Sequence, residues 1–326
     1  MVTQVWGSAP RPEGATLLAT PDGRMAGSIS GGCVENAVVE EIVAAMARGT
    51  PKLLSYGVSD QRAWELGLAC GGTIGVFIEP SVRPEVVAAA RRREGSVVAT
   101  VIGGADALGT SLVLLEDGAT EVHGLPESLQ AEVRDRARAA LQTLGSRSEA
   151  VERAGRRVEL LYEVFLRQAT LLVFGGVHVA MALVPMAKAL GYRTVVADGR
   201  EPFLTRERFP DADELVLAWP EEAFARVGID GATCVCVLTH DPKFDEPALD
   251  IALRSPACYV GAIGSRKTQA SRRERLRRAG FTDQEIGRLH GPIGLDLGGR
   301  QPAEIALAVL AEITMVRFGK PLPSRQ

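Results

Sequence analysis

The C-terminal half of the chain alternates short apolar runs with segments of helical periodicity, and this alternation limits the fold more than any other feature. The apolar runs lie at residues 170–174, 193–197, 214–218, 233–239 and 258–263. Strands that are covered on both faces consist of nearly continuous apolar residues, as these runs do. We therefore expect residues 169–326 to form a Rossmann-like, doubly wound parallel sheet in an α/β protein.

The N-terminal half has a different pattern, in which short strands, a turn and a helix recur about 95 residues further along the chain. The turn at Asp22 in the first copy corresponds to the turn at Asp117 in the second. Helical patterns follow at 34–47 and 127–141. We expect residues 1–168 to form an N-terminal α+β domain, for which true duplication and chance similarity both stay open.

The composition excludes several classes of protein. The 326 residues include 37 Lys and Arg against 40 Asp and Glu, a net charge of -3, whereas proteins that bind nucleic acid through phosphate contacts are usually strongly basic. The apolar runs are far shorter than the roughly 20 residues that cross a bilayer. Residues 1–6 lack the features of a signal peptide, and five cysteines are an odd number for a disulfide framework. The sequence predicts a cytoplasmic protein of two domains that binds neither nucleic acid nor a membrane.

Two glycine-flanked cysteines in the N-terminal half are candidates for thiol chemistry. Cys33 follows two glycines and directly precedes a helix, so we expect free backbone N–H groups and the helix dipole to lower its pKa. Cys70 precedes two further glycines. Such thiolates can attack an electrophile, carry sulfur or ligate a soft metal, and the alternative is a small apolar residue packed in a tight turn. The spacing of the two cysteines matches no recognised zinc site.

The three remaining cysteines lie in the C-terminal half. Cys234 and Cys236 alternate with valines in a strand that we expect to be covered on both faces. Cys258 opens the next strand. We interpret all three as packing residues, because a buried thiol behaves as a small apolar group.

The turn after the first C-terminal strand contains part of a dinucleotide-binding fingerprint. Gly175 can form the turn, but Val177 stands where a second glycine would let a pyrophosphate approach the backbone. Asp198 ends the next strand, where an acidic residue would meet a ribose hydroxyl. We expect a nucleotide-like ligand here, and Val177 argues against tight binding of NAD.

Further polar residues follow other predicted strands and therefore gather at the carboxyl edge of the sheet, where ligands bind in open α/β folds. His178 lies in the first turn, and His240 and Asp241 follow a later strand. They can serve as a general base, a phosphate contact or a metal ligand, and the alternative is a capping or turn role. Residues 264–266 open a helix that offers N–H groups and a guanidinium to an anion. The arginine-rich run at 272–278 is interpreted as a solvated helix face.

Eight ordered motifs resemble those of the XdhC/CoxI family, which are accessory proteins of xanthine dehydrogenase and related molybdenum hydroxylases. The motifs are GSAPR (7–11), SGGCVE (30–35), YGVSD (56–60), LACGGTI (68–74), LTHDPKFDEPAL (238–249), GAIGSRKT (261–268), HGPIGLD (290–296) and PAEIAL (302–307). Eight motifs in one order are far more specific than any single motif. The resemblance therefore covers nearly the whole chain.

The resemblance implies a chaperone of the molybdenum cofactor, which contains molybdopterin. Such a protein holds the cofactor while a cysteine desulfurase supplies its terminal sulfido ligand. It then inserts the cofactor into a client hydroxylase of the xanthine dehydrogenase or CO dehydrogenase type. We accordingly expect a maturation factor rather than an enzyme with its own turnover, and a homodimer as the assembly.

With this resemblance, the candidate residues form two sets. Cys33 and Cys70 are the expected sulfur or molybdenum contacts, both as reactive thiols and as metal ligands. The residues expected to shape their loops are Ser30, Gly31, Gly32, Gly71 and Gly72. The cofactor ligands expected at the sheet edge are Gly175, Gly176, His178, Asp198, His240, Asp241, Gly264, Ser265 and Arg266.

The chain departs from the family pattern at two places. Relatives usually carry a helix before the first strand, so we expect a trimmed domain or a misassigned start. Their usual turn is Gly-Ala-Gly-His, whereas Val177 precedes His178 here, which alters the approach of a phosphate.

Two alternatives stay open. One is an NAD(P)-binding oxidoreductase that uses the Rossmann half, which Asp198 favours and Val177 opposes. The other is a thiol redox sensor in which Cys33 and Cys70 form a reversible disulfide.

Overall fold

The computed structural model describes residues 1–7, 10–57, 72–104, 107–153 and 155–322 of the chain. The chain divides into two compact units, Met1–Arg167 and Gln168–Gln326. Among the described residues, no helix combines the length and the apolar character that crossing a membrane requires.

The first half of the N-terminal unit consists of short antiparallel strands and a helix that packs on them. Its elements are β1 (Val2–Trp6), β2 (Leu17–Ala19), β3 (Met25–Gly27), α1 (Glu35–Arg48), β4 (Lys52–Tyr56) and β5 (Thr73–Ile78), and α2 (Pro84–Arg91) follows. Strand β5 lies between β1 and β4 and is antiparallel to both, while β2 and β3 form a hairpin. Apolar residues at helical spacing on α1, Val38, Ile42 and Ala45, share a core cluster with Val2 and Val76.

The second half is a five-stranded antiparallel sheet with one long helix. Its elements are β6 (Ser96–Gly103), β7 (Ser111–Leu115), β8 (Thr120–His123), α3 (Glu127–Thr143), β9 (Arg147–Arg153) and β10 (Arg156–Phe165). The strand order is β8-β7-β6-β10-β9. Helix α3 buries Leu129, Val133, Ala137 and Ala140, which recur every three or four residues, against this sheet.

The two halves have the same order of elements and share part of their strand pairing, although β2 and β3 form a separate hairpin whereas β7 and β8 belong to the five-stranded sheet. Each consists of three strands, a helix and two further strands. In each, the first strand pairs with the last, and the last also pairs with the strand before it. The sequence similarity between the copies therefore has a structural counterpart.

The copies differ in two connections, and these are the segments that hold the glycine-flanked cysteines. Residues 28–34 join β3 to α1, whereas residues 124–126 make the corresponding connection in the second copy. Residues 57–72 join β4 to β5, whereas only residues 154–155 join β9 to β10. The additional chain of the first copy thus lies where Cys33 and Cys70 occur.

The C-terminal unit confirms the predicted doubly wound parallel sheet. Its strands are β11 (Thr170–Phe174), β12 (Arg193–Asp198), β13 (Glu214–Leu217), β14 (Thr233–Val237), β15 (Tyr259–Ala262) and β16 (Leu289–His290). They are parallel and lie in the order β13-β12-β11-β14-β15-β16. This corresponds to the order 3-2-1-4-5-6 of Rossmann folds, in which the direction of chain progression reverses between the first and fourth strands.

Helices cover both faces of this sheet. They are α4 (His178–Ala189), α5 (Pro220–Val227), α6 (Pro242–Arg254), α7 (Arg266–Arg278), α8 (Asp283–Gly287) and α9 (Pro302–Arg317). Along β11, Leu172 and Phe174 belong to one core cluster, and Leu171 and Val173 belong to the cluster on the opposite face. Both faces of the strand are buried, which explains its unbroken apolar sequence.

Candidate functional site

The loop that carries Cys33 is organised around the carboxylate of Glu35, the first residue of α1. Its side chain is only 6% exposed. One carboxylate oxygen accepts hydrogen bonds from Ser28 Oγ at 2.7 Å, Ile29 N at 3.1 Å and Ser30 N at 2.9 Å. The other accepts from Ser30 Oγ and from Gly32 N at 2.9 Å. The carboxylate therefore binds the preceding loop to the start of the helix.

The remaining N–H groups of the loop are satisfied by two serine hydroxyls. Ser30 Oγ accepts from Cys33 N at 3.0 Å and Val34 N at 2.9 Å, and Ser28 Oγ accepts from Gly31 N at 2.9 Å. All six N–H groups from residue 29 to residue 34 thus have acceptors inside the loop. The expectation of free N–H groups beside Cys33 is wrong, because Glu35 and the serines occupy them.

Two glycines give the loop its path. Gly31 and Gly32 have φ values of 75° and 113°, a region that residues with a Cβ rarely adopt. The space beside Gly31 is bordered by Pro10, whose side chain would lie 3.7 Å from a Cβ there. Arg11 Nε donates to Ser28 O at 3.3 Å. The GSAPR and SGGCVE motifs therefore meet at one place.

The Cys33 side chain is half-buried and packs against the core cluster of this half. The connection that contains Cys70 rejoins the sheet at Thr73, the first residue of β5. Thr73 pairs with Trp6 at the end of β1. Gly72 is buried just before that strand. Cys70 and Gly71 lie outside the described residues. Within the part of the chain that is described, no group of three or more His, Cys, Asp or Glu could hold a metal ion.

The residues predicted for the Rossmann unit lie at a single edge of its sheet. Residues 175–178 follow β11, Asp198 ends β12, residues 240–241 follow β14, and residues 264–266 follow β15. Because all these strands are parallel, the residues gather at the carboxyl edge, as predicted. Their contacts, however, differ from the expected ones at several positions.

The glycine turn after β11 is covered by the chain itself. A Cβ on Gly176 would lie 2.2 Å from the carbonyl oxygen of Phe203, so that carbonyl packs directly against Gly176. Arg208 Nη2 also donates to Gly176 O at 2.8 Å. Gly175 is likewise confined by the loop after β14, since a Cβ there would lie 2.7 Å from Thr239 Cγ2. Both glycines allow close packing within the unit, and their contact with a ligand stays a prediction.

Asp198 does not match the expected contact with a ribose. It is fully buried. One carboxylate oxygen accepts from the backbone N and the Nε of Arg200, both at 2.9 Å. The other accepts from Gly176 N at 2.8 Å and from Arg200 Nη2 at 2.9 Å. A carboxylate has about four acceptor positions, so Asp198 has none left for a hydroxyl group of a ligand.

The same edge carries Arg200 and three aromatic rings, which the sequence analysis did not identify. The rings belong to Phe203, Trp219 and Phe244. The guanidinium of Arg200 lies 4.0 Å from the ring centre of Phe203 and 5.7 Å from that of Phe244. Trp219 packs on Phe244 with 4.7 Å between ring centres, and the tryptophan remains 52% exposed. Because the Arg200 guanidinium is paired with Asp198, this set presents an ion pair and flat apolar faces, which suit a ligand with a planar ring.

Two of the predicted ligands cap helices. Asp241 accepts from Lys243 N at 3.0 Å and begins α6, and Ser265 accepts from Thr268 N at 3.1 Å and begins α7. The capping role, left open as the alternative for Asp241, is therefore present.

Three other predicted ligands have exposed side chains: His178, His240 and Arg266. Arg266 also borders a pocket of about 220 Å³ that the segment 292–299 lines. These three side chains are two imidazoles and a guanidinium, and Asp241 at the same edge is exposed as well.

Comparison with known proteins identifies the family. Residues 1–57 match the XdhC and CoxI family, and residues 171–313 match the XdhC Rossmann domain. The chain belongs to the XdhC and CoxI family. The resemblance expected from the eight motifs is thereby confirmed.

Relatives of this XdhC/CoxI protein match it along nearly its whole length. A probable xanthine dehydrogenase subunit of Bacillus subtilis (strain 168) is 27% identical over 320 residues, 97% of this chain and 92% of that protein. The molybdenum cofactor insertion chaperone PaoD of Escherichia coli (strain K12) is 26% identical over 320 residues, 97% of this chain and 82% of that protein. A crystal structure of a xanthine dehydrogenase from Bacillus halodurans has a TM-score of 0.78 at 21% identity, covering 99% of this chain and 92% of that one. That structure shows a shared fold.

Beneath the carboxyl edge of this XdhC/CoxI protein lies a buried ion pair that the sequence analysis missed. Arg272, expected on a solvated face, is 9% exposed. It donates to Asp245 at 2.9 Å and to Ile263 O at 3.1 Å. Asp245 also accepts from Thr239 Oγ1. The pair therefore connects the loops that carry His240 and residues 264–266.

The first prediction concerns Glu35. Burial acts to raise its pKa, but hydrogen bonds from Ser30 and Ser28 outweigh burial and lower the pKa from 4.5 to about 2. Glu35→Gln removes two acceptor positions and places an amide against donors, so we expect the unfolding free energy to fall by about 1–3 kcal/mol at pH 7. The carboxylate contributes fully above pH 4.5 and loses its contribution as the pH falls toward 2. Urea unfolding at pH 7 and pH 3 measures this effect. The difference in unfolding free energy between Glu35→Gln and wild type should be smaller at pH 3 than at pH 7.

Glu40→Gln is the matched control for this experiment, because Glu40 is an exposed glutamate on the same helix. It should leave stability unchanged at both pH values. Equal unfolding free energies for wild type and Glu35→Gln at pH 7 would contradict the role assigned to the carboxylate.

The second prediction concerns Arg272. Arg272→Met leaves the charge of Asp245 buried without its partner, so we expect a loss of about 3–5 kcal/mol in unfolding free energy. Arg278→Met, at a position with a 78% exposed side chain on the same helix, should change it by less than about 0.5 kcal/mol. Urea unfolding of the purified variants measures both. Similar midpoints for the two variants would show that the ion pair does not support the edge.

Proposed function

We propose that this protein binds the molybdenum cofactor and takes part in the maturation of a molybdenum hydroxylase of the xanthine dehydrogenase or CO dehydrogenase type. Membership of the XdhC and CoxI family and the name of the relative PaoD support a maturation role linked to this cofactor. In this role the protein is a chaperone rather than an enzyme with its own turnover, and it works in the cytoplasm.

The observation that carries the proposal is the presentation of Cys33. Its loop is an addition to one copy of a repeated scaffold. The N–H groups of the loop all have internal acceptors, and in this proposal the half-buried thiol is the group that contacts the ligand. A thiolate is a soft ligand, and it is also the form of cysteine that accepts and passes on sulfur. These properties fit a cofactor whose metal carries sulfur ligands.

We assign the contacts to molybdenum or sulfur to Cys33 and Cys70. Ser30, Gly31, Gly32, Gly71 and Gly72 shape the two loops. A cysteine desulfurase is the proposed source of the terminal sulfido ligand, and a homodimer is the proposed assembly. When bound, the cofactor supplies the molybdenum centre on which the client enzyme depends.

The Rossmann unit supplies a second set of contacts in this proposal. Molybdopterin carries a phosphate, which guanidinium and imidazole groups can bind. His178, His240 and Arg266 provide such groups at the carboxyl edge. Asp241 and Ser265 cap the neighbouring helices, which fixes the backbone beside His240 and Arg266.

The third prediction tests the thiol. Cys33→Ser, purified from cells that make molybdopterin, should carry at least about tenfold less bound molybdenum and pterin than wild type, because a hydroxyl group is a much poorer ligand for a soft metal. Its melting temperature should stay near that of wild type, since Cys33 is only partly buried. Molybdenum is measured by elemental analysis, and pterin by the fluorescence of its oxidised form.

Cys236→Ala is the control for loss of a thiol as such, because Cys236 is fully buried on β14. It should retain bound cofactor. Wild-type amounts of pterin on Cys33→Ser would refute the assignment of Cys33, and absence of pterin from the wild type would refute cofactor binding itself.

The fourth prediction concerns the alternative of an NAD(P)-binding oxidoreductase. The strand order of the C-terminal unit favours it. The carbonyl of Phe203 beside Gly176 and the occupied carboxylate of Asp198 oppose it. We therefore expect no saturable quenching of protein fluorescence with micromolar NADH. Saturable binding in that range would restore the oxidoreductase as the leading function.

A further inference from the structure

Two cysteines of the Rossmann unit, which the sequence analysis interpreted as packing residues, lie in direct contact. The sulfur atoms of Cys234 and Cys258 are 3.3 Å apart. Cys258 Sγ also contacts Thr233 O at 3.3 Å, as donor. In that arrangement the Cys234 thiol is the donor toward Cys258. Since Cys234 lies near the start of β14 and Cys258 directly precedes β15, the pair lies at the amino edge of the sheet, opposite the carboxyl edge described above.

The backbone holds the two residues close enough for a covalent bond. Cys234 is paired in the parallel ladder with Tyr259, the residue after Cys258, and Cys258 N donates to Thr233 O at 3.0 Å. A disulfide has an S–S distance of about 2.05 Å, so the sulfur atoms must approach by roughly 1.3 Å. Rotation of the two side chains provides a movement of this size without a change of strand register.

The two thiols have different environments. Cys234 is fully buried, whereas Cys258 is partly exposed. The hydrogen bond from Cys234 and the nearby charge of Arg317 lower the pKa of Cys258, although burial and Asp230 act against them. The same hydrogen bond, together with burial, raises the pKa of Cys234. Cys258 is therefore the thiol that an oxidant in solution reaches first, and its lowered pKa increases the fraction present as the reactive thiolate.

We propose that Cys234 and Cys258 form a redox-active dithiol that hydroperoxides convert to a disulfide. The Cys258 thiolate attacks a peroxide oxygen, the O–O bond breaks, and a sulfenic acid forms while the leaving oxygen departs as water or an alcohol after protonation. The Cys234 sulfur then attacks the sulfenic sulfur, its proton goes to the departing hydroxide, and water leaves. Two thiols are oxidised and one hydroperoxide is reduced, and a dithiol reductant reverses the reaction by exchange.

The disulfide closes a loop of chain that contains the whole of α6. That helix begins at the cap Asp241, beside His240, and it carries Asp245, which binds Arg272. Closing a loop restricts the unfolded chain. Oxidation should therefore stabilise the segment that supports part of the carboxyl edge. This site is separate from Cys33 and does not depend on the proposed cofactor role.

The experiment is mild oxidation of the full-length protein by hydrogen peroxide, followed by thiol counting in denaturant and peptide mapping without reduction. We expect the loss of two thiols, their recovery with dithiothreitol, and a linked peptide pair that contains Cys234 and Cys258. Cys258→Ala should abolish this loss. Cys234→Ala should instead accumulate a sulfenic acid on Cys258 that dimedone traps.

Two matched variants separate this pair from the other cysteines. Cys236→Ala changes a buried thiol on the same strand as Cys234. Both Cys236→Ala and Cys33→Ser should still lose two thiols through the Cys234–Cys258 link. A linked peptide that joins Cys33 to Cys70, with Cys234 and Cys258 unmodified, would overturn the proposal in favour of the redox-sensor alternative. Full retention of all thiols under conditions that oxidise free glutathione would overturn it as well.

Discussion

The loop around Cys33 depends on one buried carboxylate. A charged group that is 6% exposed, as Glu35 is, is costly unless hydrogen bonds surround it. The loop supplies these bonds from its own backbone and from Ser28 and Ser30. The same arrangement uses the N–H groups that would otherwise attract an anion. The loop therefore has a fixed shape without an anion-binding surface, and its chemistry depends on the side chain of Cys33.

The internal repeat explains how such a loop could be added without disturbing the sheets. In both copies the last strand lies between the first strand and the strand before it, and the helix of each copy covers its sheet with residues at helical spacing. The extra chain of the first copy lies in two connections, residues 28–34 and 57–72. Connections accept insertions more readily than strands because fewer packing contacts constrain them. The scaffold is common to both copies, and the candidate chemistry comes from what one copy adds.

The sequence located the strands of the Rossmann unit well but assigned its polar side chains poorly, and the physical reason is the same in each case. A strand buried on both faces, such as β11, is recognised from its own residues. The partners of a polar side chain depend on segments that the fold brings near. Asp198 lies where it was expected, yet Arg200 and Gly176 occupy its oxygens. In the sequence, Arg272 cannot be distinguished from the exposed arginines around it. Its burial follows from the packing of α7 against the sheet edge.

Because internal hydrogen bonds occupy the Asp198 carboxylate, the carboxyl edge can recognise ligands through other groups. A dinucleotide needs close approach to a glycine turn, whereas Val177 stands at the position of the second glycine and the carbonyl of Phe203 packs against Gly176. The groups that face solvent include the exposed imidazoles, the guanidinium of Arg266 and the half-exposed ring of Trp219, while the Arg200 guanidinium is paired with Asp198 and stacked on an aromatic ring. Recognition at such an edge depends on charge and stacking, which act on a ligand from outside the turn. A phosphorylated molecule with a planar ring, such as the proposed ligand molybdopterin, can make both interactions without close approach to the glycine turn.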